Sequence, residues 1–229
     1  MAMAGHVESG NAASNGLPFM LGQKRPNKTR FEMLMDRQRS VRVFDGSSGW
    51  KMRTDGASKT DVQPYSDDEL RFARGAAVIE GPLMDYAAHG AGFSVEGSES
   101  IDGRLAYVLG VKLPSGGQQR VWVDAETFLE LRHDREMRGG SAQPVVLSLY
   151  FRDYRKFEDL WMPTTIETRS ATGAVTSKLL VERVALNPNM DDRLFAKPSV
   201  GAARHHGAVV DTREASPSSG ATMGSASRP

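Results

Sequence analysis

The chain has 229 residues, with 29 Lys plus Arg against 28 Asp plus Glu and a formal net charge of +1, a balance that singles out no polyanionic partner and gives no reason to expect nucleic acid. It has no cysteine, which excludes disulfide scaffolds, thiol catalysis and Cys-ligated zinc. Hydrophobic residues make up 39%, enough for one core, and no apolar run approaches the ~20 residues of a membrane-spanning helix.

The start, MAMAGHVESG, has neither the basic region nor the apolar stretch of a signal peptide. Met1 to Val7 reads as the interior of a strand, which points to a gene start upstream. Leu17 to Lys24 is the second strand. Lys28 to Met35 alternates, with Phe31, Met33 and Met35 on one side and Arg30 and Glu32 on the other. A period of two marks a half-buried strand. The polar run Asp36 to Ser40 is a hairpin connection, and Val41 to Phe44 alternates again. Asp45-Gly46 supplies a turn, after which Trp50 and Met52 resume an apolar side. Residues 54–64 are polar and read as an excursion away from the sheet. Ser66-Asp67-Asp68-Glu69 is a capping box with acids in the first turn. It predicts a helix over about 67–77, and Pro82 opens a further turn through Met84 and Tyr86, so the helical insertion covers about 66–88.

From Phe93 onward, strands and turns alternate. The strand 93–101 ends at Asp102-Gly103, a strong hairpin signal. Further strands follow over 105–113, 118–124, 128–135, 145–154, 160–169 and 176–186. Asn187-Pro188 closes the pattern, and Leu194-Phe195 tuck back as a last apolar anchor. Beyond Pro198 the sequence is rich in Ala, Gly, Ser and Pro. That composition cannot repay its ordering entropy, which predicts a disordered tail over 199–229 and a domain over 1–198.

Roughly ten antiparallel strands make the fold class mainly β, a strongly curved sheet forming an incomplete, half-open barrel. One short helix cannot fill the inside of such a sheet, so an apolar hollow is expected. Phe31, Met33, Met35 and Trp50, with Tyr107 and Leu109 from the later strand, are the residues predicted to line it. Of 11 methionines, those at 20, 33, 35 and 52 lie in these strands. Their adaptable side chains suit flexible acyl chains, although methionine also fills ordinary core gaps. Trp50 and Trp122 read either as core anchors or as cavity wall.

A second reading comes from charge. Between Lys24 and Arg53 stand nine basic and three acidic residues. A basic sheet edge around Arg37, Arg39 and Arg42 would suit an anionic partner over a fully packed interior, or simply keep a sheet edge soluble.

Catalytic constellations are scarce. His6, His89, His133 and His205-His206 have no metal-binding spacing. His133 and Asp134 are adjacent in a strand and face opposite sides, so they do not form a base and its orienter. Gly90-Ala91-Gly92 is no dinucleotide loop, and neither a nucleophile elbow nor a phosphate loop occurs. No enzyme activity, metal or cofactor is expected.

Lys24-Arg25-Pro26-Asn27 followed by Asp45-Gly46 and Trp50 resembles the bacterial carriers that sort lipoproteins to the outer membrane, the LolA/LolB-like fold. Gly81-Pro82-Leu83-Met84-Asp85-Tyr86, Ile101-Asp102-Gly103-Arg104 with Tyr107, and Trp122-Val123-Asp124 with Thr127 extend the likeness. Leu160-Trp161-Met162-Pro163 and Asn187-Pro188 with Asp191-Asp192 and Phe195 complete it over about 1–198. The resemblance implies an incomplete barrel with a helical lid, an acyl chain or other lipid as ligand, no catalysis, and a periplasmic location. It also implies a lipoprotein or an envelope membrane protein as partner. Arg25 matches the family arginine that holds the lid. The family's signal peptide and first helix have no counterpart here, and a chain beginning at Met1 would stay in the cytoplasm.

Overall fold

The computed structural model describes residues 1–10, 16–35, 38–55, 60–76, 81–84, 86–87, 90–113, 117–137 and 145–198. The predicted tail, Arg37, His89 and His205-His206 lie outside them. Six strands come first: β1 (Ala2–Ser9), β2 (Leu17–Lys24), β3 (Lys28–Met35), β4 (Gln38–Phe44), β5 (Gly49–Thr54) and β6 (Thr60–Pro64). The helix α1 (Asp67–Ala76) follows. Seven more strands complete the chain: β7 (Gly92–Ile101), β8 (Arg104–Lys112), β9 (Gln118–Asp124), β10 (Glu130–Met137), β11 (Val145–Phe157), β12 (Leu160–Arg169) and β13 (Val175–Ala185). A 3₁₀ turn, Asp192–Phe195, closes the described chain.

All thirteen strands form one antiparallel sheet, ordered β6-β5-β4-β3-β2-β1-β13-β12-β11-β10-β9-β8-β7. The expected ten become thirteen, and 60–64 is a strand rather than an excursion. Two meanders are zipped together where β1 pairs with β13, with a bulge at Ala4/Gly5. Sheets this wide curl because each strand carries a right-handed twist. The curled sheet does not close: β6 and β7 remain its two edges, and the connection between them carries α1.

Local chemistry sets the corners. The capping box forms as predicted: the Ser66 amide donates to Glu69 Oε2 at 2.9 Å and the Glu69 amide to Ser66 Oγ at 3.3 Å. Asp102 and Gly103 both take positive φ, 49° and 81°, as a two-residue hairpin of the favoured twist requires. Asp45 Oδ1 accepts from the amides of Ser47 and Ser48 at 2.8 and 2.7 Å. Above that turn Gly46, at φ 103°, lies so close to Asn27 that a Cβ would meet its Oδ1 at 2.5 Å. Lys24 donates to the Met190 carbonyl at 2.8 Å and pairs with Asp192 at 2.9 Å. The residues that carry the family resemblance in this half therefore build turns and fasten the closing segment.

Candidate functional site

Residues opposite one another in adjacent strands point the same way, so one face can be followed across the sheet. Phe31 is opposite Leu21, and Met33 is opposite Phe19. Leu21 is opposite Met3, and Phe19 is opposite Gly5. Val7, next on that side of β1, is opposite Leu179. Leu179 is opposite Ile166, and Ile166 is opposite Phe151. Leu149 shares the side of Phe151 and is opposite His133, which is opposite Val121. Val121 in turn is opposite Leu109. One largely apolar face thus spans nine strands, from β3 to β8.

This is the face that carries α1, and we call it the inner face. Arg42, opposite Phe31, and Lys51, opposite Arg42, belong to it. Lys51 Nζ lies 3.0 Å from Glu69 of α1, and Arg42 lies 3.9 Å from it. Leu70 and Ala73 of the helix pack on Phe44 beside Tyr65. The Ser66 amide, then Lys51 and Arg42, outweigh burial and hold the Glu69 carboxyl below its ordinary range.

Apolar cover is uneven along the face. Met3, Phe19, Phe157, Val181 and Val184 form its buried centre, with Leu21, Phe31, Met33 and Leu179 partly buried against them. Toward β7 the cover thins: Tyr107 is 42% exposed, Leu105 58%, Phe93 46% and Val95 66%. At about 25 cal/mol per Å² of apolar surface, covering such residues with an apolar guest is favourable, and patches of this kind mark binding surfaces.

Phe31, Met33, Met35, Tyr107 and Leu109 share the inner face. Trp50 does not. It is opposite Val43, which is opposite Arg30, and it packs with Val41, Val43, Met190 and Phe195 on the outer face. Met20 and Met52 also point outward, opposite Glu32 and Val41 respectively. The reason is register. β4 begins at Gln38, so Met35 pairs with Gln38 and the connection is shorter than the expected 36–40. A shift in hairpin register by one residue reverses every side chain in the strands that follow. The same register corrects the basic edge. β4 is an interior strand, Arg39 is spent on Glu32 at 2.6 Å, and Arg42 turns inward to α1. Trp122 is also on the outer face, donating to Glu99 at 3.0 Å beneath the Arg132 guanidinium.

Arg25 is exposed in the turn between β2 and β3. The Met1 ammonium has a lowered pKa, first through burial and then through the charge of Arg25. Lys51 and Arg42 are cations that reach Glu69 of α1.

Sequence reading missed a polar group set into the inner face. His133, 2% exposed, bonds the Gln119 side chain through Nε2 at 2.9 Å, and its Nδ1 lies 3.2 Å from Glu130 Oε1. Arg135, next on that side of β10, is opposite Gln119 and Leu147. Its Nε is buried with no hydrogen-bond partner among the described residues. Burial pushes its pKa down, and the Glu130 charge opposes that shift. The signal was the period of two: His133 and Arg135 share a face, whereas Asp134 turns outward to Arg132 at 2.7 Å.

Neither a family model nor a curated protein sequence matches the chain. Solved structures do. An outer membrane lipoprotein-sorting protein domain from Vibrio parahaemolyticus superposes with a TM-score of 0.55 at 14% identity, covering 86% of this chain and 88% of that one. A DUF1329 family protein from Desulfovibrio piger gives a TM-score of 0.55 at 14% identity, covering 85% and 89%. A LolA superfamily protein from Nitrosomonas europaea gives 0.57 at 16% identity, covering 86% and 88%. Superposition over this much of each chain gives this protein, with its unclosed antiparallel sheet, the LolA-like fold.

Proposed function

We propose that the chain binds an apolar ligand, a lipid or a lipoprotein acyl chain, along the inner face beneath α1, and that it does so as a non-enzymatic carrier in the periplasm. The observation that carries this reading is the continuous inner face from Phe31 to Leu109, flanked by α1 on β4 and β5 and exposed toward β7. The sorting role named for the Vibrio parahaemolyticus neighbour supports carriage. Phe31, Met33 and Met35 form one end of the ligand surface in this reading, and Tyr107 and Leu109 form the other. Lys51 and Arg42 hold the helical cover through Glu69, and Arg25 is the further lid-contacting residue of this reading. The partners are the hydrophobic ligand and the envelope protein that delivers or receives it.

Native mass spectrometry of protein purified from cells tests the proposal. Adducts of lipid mass, displaced by a neutral fluorescent probe such as N-phenyl-1-naphthylamine, are expected. Protein that carries no such adduct and leaves the probe dark overturns it.

A further inference from the structure

An arginine inside an apolar surface is costly. A guanidinium holds its charge in almost any setting and brings five donors in a fixed fork. A cation taken out of water without matching acceptors destabilises the fold. Arg135 meets that condition at its Nε, on a side chain that is partly buried in the face. Its neighbours across the strands are Leu147 and Gln119, and its Nε meets no acceptor among the described residues. Glu130, the carboxylate whose charge it feels, lies five residues back along β10, beyond His133 and 3.2 Å from that imidazole. Glu130 Oε1 is itself buried without a hydrogen-bond partner among the described residues, and Gln119 is engaged with His133.

Its place along the strand is also informative. Arg135 is two residues from the end of β10, on the rim where β3 ends and β4 begins. The helix α1 packs on Phe44 and Tyr65, at the opposite rim. An elongated guest lying along β9 to β11 would therefore have Arg135 at one end, on the rim opposite the one that carries α1.

We propose that the ligand of the inner face is an amphiphile with an acidic head, a carboxylate or a phosphate, which Arg135 grips while the apolar chain lies along Leu147, Leu149 and Val121. This rests on the apolar-ligand reading above and adds a head group to it. The fork of Arg135 matches the two oxygens of either acid, and pairing them relieves the cost of a cation within the apolar face. His133 and Gln119, already bonded to each other, fix the floor beside it.

The test is displacement of N-phenyl-1-naphthylamine by dodecanoate, dodecyl phosphate, dodecanol and inorganic phosphate. Wild-type protein and the variants Arg135→Met and Arg135→Lys are compared. The two acids are expected to displace the probe at concentrations about tenfold lower than dodecanol, the factor that one charge-assisted hydrogen bond gives. Arg135→Met erases the difference, leaves dodecanol unchanged and does not lower the thermal midpoint, because a desolvated charge has gone; Arg135→Lys keeps part of the preference. Equal binding of acid and alcohol by the wild type overturns the head-group assignment, and so does an acid preference that survives Arg135→Met. Inorganic phosphate competing as well as dodecyl phosphate overturns the amphiphile. A loss of dodecanol binding in Arg135→Met that Arg135→Lys does not restore makes Arg135 structural and also overturns the proposal. Failure of every chain-bearing competitor on the wild type defeats the apolar-ligand reading itself, which separates the two failures.

Discussion

On the outer side of β2 to β5, Val41 and Val43 are wholly buried because Phe195 and Met190, brought back by the closing segment, lie over them. On the outer side of β9 to β12 the cover is a lattice of side chains. The Arg132 guanidinium stands 4.3 Å over Trp122, and Arg169, Arg132 and Arg152 surround the Tyr150 ring at 4.4, 5.4 and 5.5 Å. Each guanidinium also meets a carboxylate: Arg132 on Asp134, Arg169 on Glu167 and Arg152 on Asp102. One half is thus sealed by a single apolar plug and the other by many shared charges. The inner sides differ as well, since α1 covers the plugged half and leaves the latticed half open. Exposed apolar residues of the inner face accordingly gather toward β7, away from the helix.

The comparison breaks most readily at the plug. Truncating a buried aromatic costs about 3–5 kcal/mol, so Phe195→Ala is expected to lower the urea-unfolding free energy by that much. Arg169→Met, which removes one of three cations around Tyr150, is expected to cost about 1 kcal/mol or less, because the interaction is distributed and partly solvated. Equal losses in the two variants would mean that the halves are held in the same way.

A second variant pair separates the faces. Leu109→Glu places a charge on the open inner surface, and probe affinity is expected to fall at least about tenfold, since an unpaired charge opposes apolar contact. Trp50→Ala, on the plugged outer face, is expected to lower the thermal midpoint and leave the affinity of the folded protein unchanged. The reverse pattern would return Trp50 to the ligand surface and remove Leu109 from it.

Acid sharpens the contrast at the far end of the latticed half. Asp124, 2% exposed, accepts from the Thr127 amide at 2.7 Å, the Thr127 hydroxyl at 2.8 Å and the Glu126 amide at 3.2 Å, and it pairs with Arg104 at 2.8 Å. Burial alone would raise its pKa, but these bonds and then the Arg104 charge hold it below its ordinary 3.8. A carboxyl depressed in the folded state stabilises fully above its unfolded pKa, and that contribution fades as pH falls through the lower folded value. Asp124→Asn is therefore expected to be less stable than wild type at neutral pH, with the gap narrowing below pH 3.8. A gap that stays constant across an acid titration of urea midpoints would remove the charge from the explanation.

Much of this architecture was legible in the residues. Alternation located nearly every strand, Asp102-Gly103 and Asp45-Gly46 marked their turns, and Ser66 with Glu69 announced α1. The pairing of faces was not legible. Alternation fixes sides within a strand, but β3, β4 and β5 share sides only through hairpin register, and a polar run such as 36–40 does not reveal where β4 starts. Trp50 was misplaced for that reason alone. Thr60–Pro64 escaped because an edge strand bonds on one side only and tolerates Asp61 and the terminal Pro64. Arg135 escaped because burial of a cation is a property of the neighbouring strands, not of its own.

The smallest expected effects concern the cover. With 10 residues, α1 is too short to persist alone; Leu70 and Ala73 on Phe44, the capping box and Glu69 on Lys51 keep it in place. Glu69 serves twice, and two substitutions part its roles. Ser66→Ala removes a cap worth about 1 kcal/mol. Glu69→Gln keeps an acceptor for the Ser66 amide and loses only the ion pairs, worth about 0.5 kcal/mol at a partly exposed site. Hydrogen exchange is expected to quicken in the α1 amides in that order, with β8 to β11 unchanged. Probe dissociation is expected to quicken in the same order, because the covered rim opens more often. If exchange in α1 quickens while probe dissociation does not, the helix is a bystander to binding and the ligand enters and leaves through the half that α1 never covered.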